Sequence, residues 1–166
     1  MDSKFLRDLM DRYGNKVYRL ALRSTGSRHL AEDITQETFL RACAHLDRYD
    51  HHRPPGPWLF RIALNLCRNQ ARKAWEIPLD WAAGEPAAYE AGPEQLYLEK
   101  ERNQELLRAL YRLPEMYREV LLLKHVSELS YAEIGAALDL ELSLVKNRLY
   151  RGRLALRAAL TAGRED

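Results

Sequence analysis

Residues 76–93 read EIPLDWAAGEPAAYEAGP, and no other stretch limits the fold of this chain as strongly. Pro78, Pro86 and Pro93 each remove a backbone donor, and Gly84 and Gly92 weaken any helix. The segment has no hydrophobic periodicity and no basic residue. It is long for a loop inside one compact domain, which predicts an acidic, flexible linker between two domains. The 166 residues then divide into 1–75 and 94–166. Neither half is large, so each buries a modest core of its own.

Both halves read as helix. Phe5, Leu6, Leu9, Met10, Tyr13, Val17, Leu20 and Ala21 recur at helical spacing, predicting a first helix over about Ser3 to Ser24. Ser27 is the expected N-cap of a second helix reaching about Leu46, with Leu30, Ile34, Phe39 and Leu40 facing the core. The break from Asp50 to Pro57 holds three prolines. A third helix is expected from Pro57 to about Ala74, with Trp58, Leu59, Ile62, Ala63 and Leu66 inward. In the second half, Leu96, Leu98, Leu106, Leu107, Leu110 and Tyr111 predict an amphipathic helix that stops at Leu113-Pro114. Another follows over Glu115 to Val126. No segment alternates as a strand does. The expected fold class is all-α: a three-helix domain and a helix-turn-helix domain joined by the linker.

The helix-turn-helix lies between Ser130 and Arg157. Ser130-Tyr131-Ala132-Glu133 forms a capping box, Asp139 suits a left-handed turn, and a longer helix spans about Leu142 to Leu160. Val145, Leu149, Leu156 and Leu160 give that helix an apolar stripe. Ser143, Lys146, Asn147, Tyr150 and Arg151 fall largely on the opposite side. Arg and Lys suit guanine edges, Asn suits adenine, and Tyr meets thymine methyls or phosphate. Arg148, Arg153 and Arg157 are better placed for phosphates. A solvated basic helix is the plainer reading, but a capped helix, a turn and a basic helix in sequence favour DNA.

Charge distribution supports this. The formal net charge is only +2, yet His51–Trp75 and Leu142–Arg164 contain bases and no acids. Clustered bases at DNA release counterions and make affinity salt-dependent. The first of these windows, with Tyr49 before it, interleaves Tyr49, Trp58 and Phe60 with Arg53, Arg61, Arg68, Arg72 and Lys73. Aromatics along a basic track hold unstacked bases. Trp58 opens an apolar stripe and reads as core, whereas Tyr49 is expected at the rim of the proline-rich loop. Asn65 could bond an extruded base or a backbone group. The polar face of Asp33, Gln36 and Glu37 reads, by spacing alone, as solvated helix surface.

Other classes fit poorly. Cys43 and Cys67 form no metal-ligand spacing, so no metal site or other cofactor is expected. There is no glycine-rich phosphate loop, no HExxH and no nucleophile elbow, which argues against an enzyme. The opening MDSKFLRDLMDR is charged and amphipathic, unlike a signal peptide, and no apolar run approaches membrane length. A cytoplasmic protein without membrane insertion of its own is expected.

Two motif blocks in this order resemble the extracytoplasmic-function (ECF) sigma factors over almost the whole chain. The first is AEDITQETFLRA followed by LDRYD and PWLFRIALNLCRNQARK. The second is LPEMYREVLLLKHVSELSYAEIGAALDL followed by VKNRLYRGRLALR. The resemblance implies a region 2 domain over 1–75, which recognises and melts the −10 element. It implies a region 4 domain over 94–166, which reads the −35 element. By the same resemblance, Asp33, Gln36, Glu37 and Arg41 would contact the β′ clamp helices of bacterial core RNA polymerase, and region 4 the β flap. Tyr49, Arg61, Asn65, Arg68, Arg72 and Lys73 would serve −10 capture and melting. Ser143, Lys146, Asn147, Tyr150 and Arg151 would read the −35 element. An anti-sigma factor is implied as a regulator. The chain departs from the family pattern at the Asp50–Pro57 loop, at Ser143 and at Asn147, so promoter sequence does not transfer. Glu141 also stands where a serine cap is usual. Two rivals remain: a dimeric helix-turn-helix regulator of double-stranded DNA, and a sigma-mimicking adaptor that does not bind DNA.

Overall fold

A computed structural model of the protein describes residues 2–74 and 104–164, with residues 71–74 described as backbone only. The linker predicted over 76–93, and the start of the second half at Glu94, lie outside the described residues. Among the described residues every regular element is helical, as the periodicity predicts.

Helix α1 (Asp2–Thr25) buries Leu9, Val17, Leu20 and Ala21. Met10, one of the residues at helical spacing, is 54% exposed. Gly26 ends the helix at φ 67, a left-handed conformation that costs glycine little. Ser27 then caps α2 (Arg28–Ala44), its hydroxyl accepting from the Leu30 amide at 3.3 Å. The buried Thr38 hydroxyl donates to the Ile34 carbonyl at 2.6 Å, so it enters the core without a lost hydrogen bond.

Helix α2 stops two residues before the expected Leu46. A single 3-10 turn, Leu46–Arg48, follows and swings Tyr49 back over the bundle. Helix α3 (Pro55–Ala74) starts earlier than Pro57. The first-turn amides of a helix have no intrahelical acceptor, so Pro57 sits in the first turn as expected and Pro55, read as part of the break, begins the helix instead.

Among the described residues the second half has four helices: α4 (residues 104–112), α5 (Glu115–His125), α6 (Tyr131–Leu138) and α7 (Leu142–Ala162). The capping box forms as read. Ser130 Oγ accepts from the Glu133 amide at 3.1 Å, and Glu133 Oε1 accepts from the Ser130 amide at 3.1 Å. We expect Ser130→Ala to lower stability by about 1 kcal/mol, measured by denaturant titration. Asp139 closes α6 in the left-handed region at φ 56. Gly135 sits so close to the turn that a Cβ there would lie 2.7 Å from the Leu140 carbonyl oxygen. Gly152 lets α7 approach Leu121 and Tyr117 of the α5 segment.

The two halves pack against each other, a relation the sequence left open. One apolar cluster runs from Leu9, Val17 and Phe60 through Leu110, Val120 and Leu123 to Leu149. Helix α3 lies on α6, and α1 touches α5. The Tyr111 hydroxyl on α4 donates to the Arg23 carbonyl of α1 at 2.7 Å. Burial pushes that phenol up to about 12. The cysteines differ sharply. Cys43 is exposed, whereas Cys67 is buried. Burial raises the Cys67 thiol to about 11, against a lowering hydrogen bond from Ser24.

Candidate nucleic-acid interface

Helix α7 is divided as its sequence suggests. Val145, Leu149 and Gly152 are buried against the rest of the second half. Ser143, Lys146, Asn147, Tyr150 and Arg151 are all exposed, spaced to share one face of the helix. Tyr150 is 65% exposed, so its ring is presented rather than packed. Arg153 and Arg157 are also exposed and Arg148 is half-buried. The positive field reaches the neighbouring helix end, where His125 is held below its usual range by burial and by Arg153 and Lys124. Glu141 occupies the N-cap without a side-chain capping bond. This surface can lie in a major groove and offer donors to base edges and phosphates.

Helix α3 is different. Arg61, Asn65 and Arg68 share a face by spacing; Arg61 and Asn65 are exposed and Arg68 half-buried, and the face borders the second half. Arg61 Nε donates to the Ala137 carbonyl at 3.0 Å, and its Nη2 donates to the Ala136 carbonyl. Arg68 meets the Glu119 carboxylate with both ends of its fork, Nε to Oε1 at 2.5 Å and Nη2 to Oε2 at 2.7 Å. Arg68 Nη1 also donates to Asn65 Oδ1 at 3.3 Å. The bond to Glu119 holds the guanidinium above its ordinary value. Arg72 lies on α3, as does Lys73, but their side chains lie outside the described residues.

Tyr49 is not at the rim. Its residue is 8% exposed. The ring stacks on Trp58 with centroids 4.7 Å apart and on Phe5 at 5.7 Å, and His51 meets it edge-on at 4.9 Å. The hydroxyl donates to the Arg53 carbonyl. Burial, then Asp50 and Tyr13, raise the phenol. Trp58, read as core, is only half-buried. The 3-10 turn before Tyr49 accounts for its burial, because it folds the ring inward.

A third surface lies on α2. Asp33, Gln36, Glu37, Leu40 and Arg41 line one open groove with Leu66, Asn69 and Gln70 of α3. Arg41 Nε lies 2.7 Å from Glu37 Oε1, and His29 pairs with Asp33 at 3.5 Å. Both pairs are surface contacts of small energetic worth. Leu40 was expected in the core and is instead 64% exposed. Its spacing from Asp33, Gln36 and Glu37 could have found it, since all four share a helix face. Among the described residues no cluster of His, Cys, Asp or Glu is arranged to hold a metal. No helix there is long and apolar enough to cross a membrane.

A helix α7 with an exposed basic face, a polar α2 groove and a basic α3 face give this helical protein three separate polar surfaces. Comparison with known proteins gives the class. Sigma-70 region 2 matches residues 9–77, and a Sigma-70 region 4 family matches residues 103–156. The chain is 36% identical to the ECF RNA polymerase sigma factor SigW of Bacillus subtilis, covering 96% of this chain and 90% of SigW. It is 34% identical to SigM of the same organism, covering 96% and 97% of the two chains. Among solved structures, CnrH in complex with the cytosolic domain of CnrY is 29% identical, with a TM-score of 0.72 over 96% of this chain and 90% of that one. The sigma factor RpoE from Bartonella quintana, in complex with the anti-sigma factor NepR, is 24% identical and shares the fold with a TM-score of 0.75, covering 95% and 98% of the two chains. The chain belongs to the ECF RNA polymerase sigma factors. It is an alternative sigma factor, which directs transcription initiation with RNA polymerase.

Proposed function

We propose that residues 1–75 and 94–166 are the two working units of this sigma factor, joined by the acidic segment 76–93. The α2 groove with Asp33, Gln36, Glu37, Leu40 and Arg41 docks on the β′ clamp helices, and the second unit also meets the β flap. The α7 face reads the −35 element through Ser143, Lys146, Asn147, Tyr150 and Arg151, while Arg148, Arg153 and Arg157 hold phosphates. Arg61, Asn65, Arg68, Arg72 and Lys73 follow the −10 strand, and Tyr49 receives a base once its stack on Trp58 opens. The protein performs no chemistry of its own and works in the cytoplasm beside the polymerase. A protein antagonist that engages both units regulates it; among similar proteins, CnrH is solved in complex with the cytosolic domain of CnrY and RpoE with the anti-sigma factor NepR.

The observation that carries this reading is the α7 face: five polar, groove-compatible side chains, all exposed, on a helix whose other side is anchored by Val145 and Leu149. The test is run-off transcription with purified core polymerase, on promoters selected from genomic DNA by the reconstituted holoenzyme. Transcripts that appear only when this protein is added are expected. Transcription unaffected by its omission would overturn the reading. Tight operator binding without polymerase would instead mark an independent regulator. At the residue level, Arg151→Ala should cost about 1–3 kcal/mol of discrimination at one −35 base pair. Equal loss on every sequence would reassign Arg151 to a phosphate.

A further inference from the structure

The α3 face assigned above to the −10 strand borders the second unit, and although Arg61 and Asn65 stay exposed, the hydrogen-bonding ends of Arg61 and Arg68 are already engaged by it. Arg68 forms a two-pronged pair with Glu119, whose side chain is only 9% exposed. Such forked pairs are geometrically specific. Arg61 reaches the Ala136 and Ala137 carbonyls in the last turn of α6, where unpaired carbonyls and the helix dipole favour a cation. Asn65 is held to Arg68. The polymerase groove on α2 and the reading face of α7 remain exposed in the same arrangement.

We propose that the Arg68–Glu119 pair, with Arg61 on the end of α6, is a self-masking latch. In it the second unit substitutes for single-stranded DNA on α3. Glu119 takes the place of a backbone phosphate, and the α6 carbonyls take the place of base or sugar acceptors. The latched chain binds polymerase through α2 but cannot grip the −10 strand until the two units part. Removing one partner of a partly buried, forked pair weakens the contact that contains it, so loss of Glu119 shifts the chain toward the parted state. The inference rests on the assignment of α3 to the −10 strand, and two separate measurements keep it distinguishable from that assignment.

The experiment uses the full-length protein and the variant Glu119→Gln, which keeps side-chain volume and removes the charge. Glu115→Gln is the control: it removes a charge nearby, but Glu115 lies 3.8 Å from Arg68 Nε and is 53% exposed. Small-angle scattering reads the radius of gyration. Fluorescence anisotropy reads binding to a fluorescein-labelled pool of random single-stranded DNA. Glu119→Gln is expected to enlarge the radius and tighten single-strand binding about tenfold, the gain when a state open about a tenth of the time becomes dominant. Glu115→Gln should change neither by more than about twofold. An unchanged radius in Glu119→Gln overturns the latch. An enlarged radius without tighter binding overturns the masking of α3, as does an equal gain in both variants. Run-off transcription by the wild-type protein tests the parent reading independently. If Glu119→Gln loses helicity, the double variant Arg68→Glu/Glu119→Arg, which restores a reversed pair, decides by whether its radius returns to the wild-type value.

Discussion

Leu40→Arg should abolish measurable core polymerase binding at concentrations that saturate the wild type, a loss of at least about 2 kcal/mol, while leaving the fold intact. Leu40 is 64% exposed beside Asp33, Gln36, Glu37 and Arg41. An exposed leucine ringed by polar side chains has the anatomy of an interface anchor, in which one apolar group supplies most of the energy and its neighbours exclude water. Removing it from water on binding contributes about 1.5–3 kcal/mol. The arginine adds a desolvated charge to that loss. Because the side chain contributes little to the folded core, thermal stability should change by less than about 0.5 kcal/mol. Affinity measured by surface plasmon resonance against immobilised core enzyme, with a melting curve as control, checks both halves. Wild-type affinity in the variant would remove the α2 groove from the polymerase interface.

The second large effect is expected at Gly135. A Cβ there would lie 2.7 Å from the Leu140 carbonyl oxygen, a backbone atom that cannot rotate away. Gly135 also accepts the Leu140 amide and the Asp139 amide through its carbonyl, so it anchors the turn twice. Gly135→Ala should therefore push α7 away from α6 and cost about 3 kcal/mol. The reading face of α7 would lose its position, and −35-dependent transcription would fall with stability. Calorimetry and run-off transcription read the two effects. A melting temperature within a degree or two of wild type would show that the turn has slack the geometry does not reveal.

Much of the architecture was legible because the local signals agree with one another. Ser27 and Ser130 cap the helices they precede, Asp139 takes the left-handed turn, and the apolar stripe of α7 is the buried one. The misses have definite causes. Pro55 reads as a breaker in isolation but is well placed in the first turn of a helix. Leu40 looked like core because hydrophobicity alone does not say which face of α2 is covered. Tyr49 was misplaced at the rim because a three-residue 3-10 turn reorients the chain, and such a turn has no periodic signature; Trp58 packs on the core as read, though only half-buried. The engagement of Arg61 and Arg68 by the second half was not readable at all. Their partners, Ala136, Ala137 and Glu119, lie 51 to 76 residues away in sequence, and no local pattern encodes that encounter.

The unequal cysteines have a practical corollary. A thiol reacts as its thiolate, and the buried Cys67, raised to about 11, offers almost none near neutral pH. Cys43 is exposed on α2, the helix that carries the groove proposed to dock on the polymerase. One maleimide dye should therefore attach to the unmodified protein at a single known place. The sequence thus carries its own labelling site on α2, usable without any residue being changed.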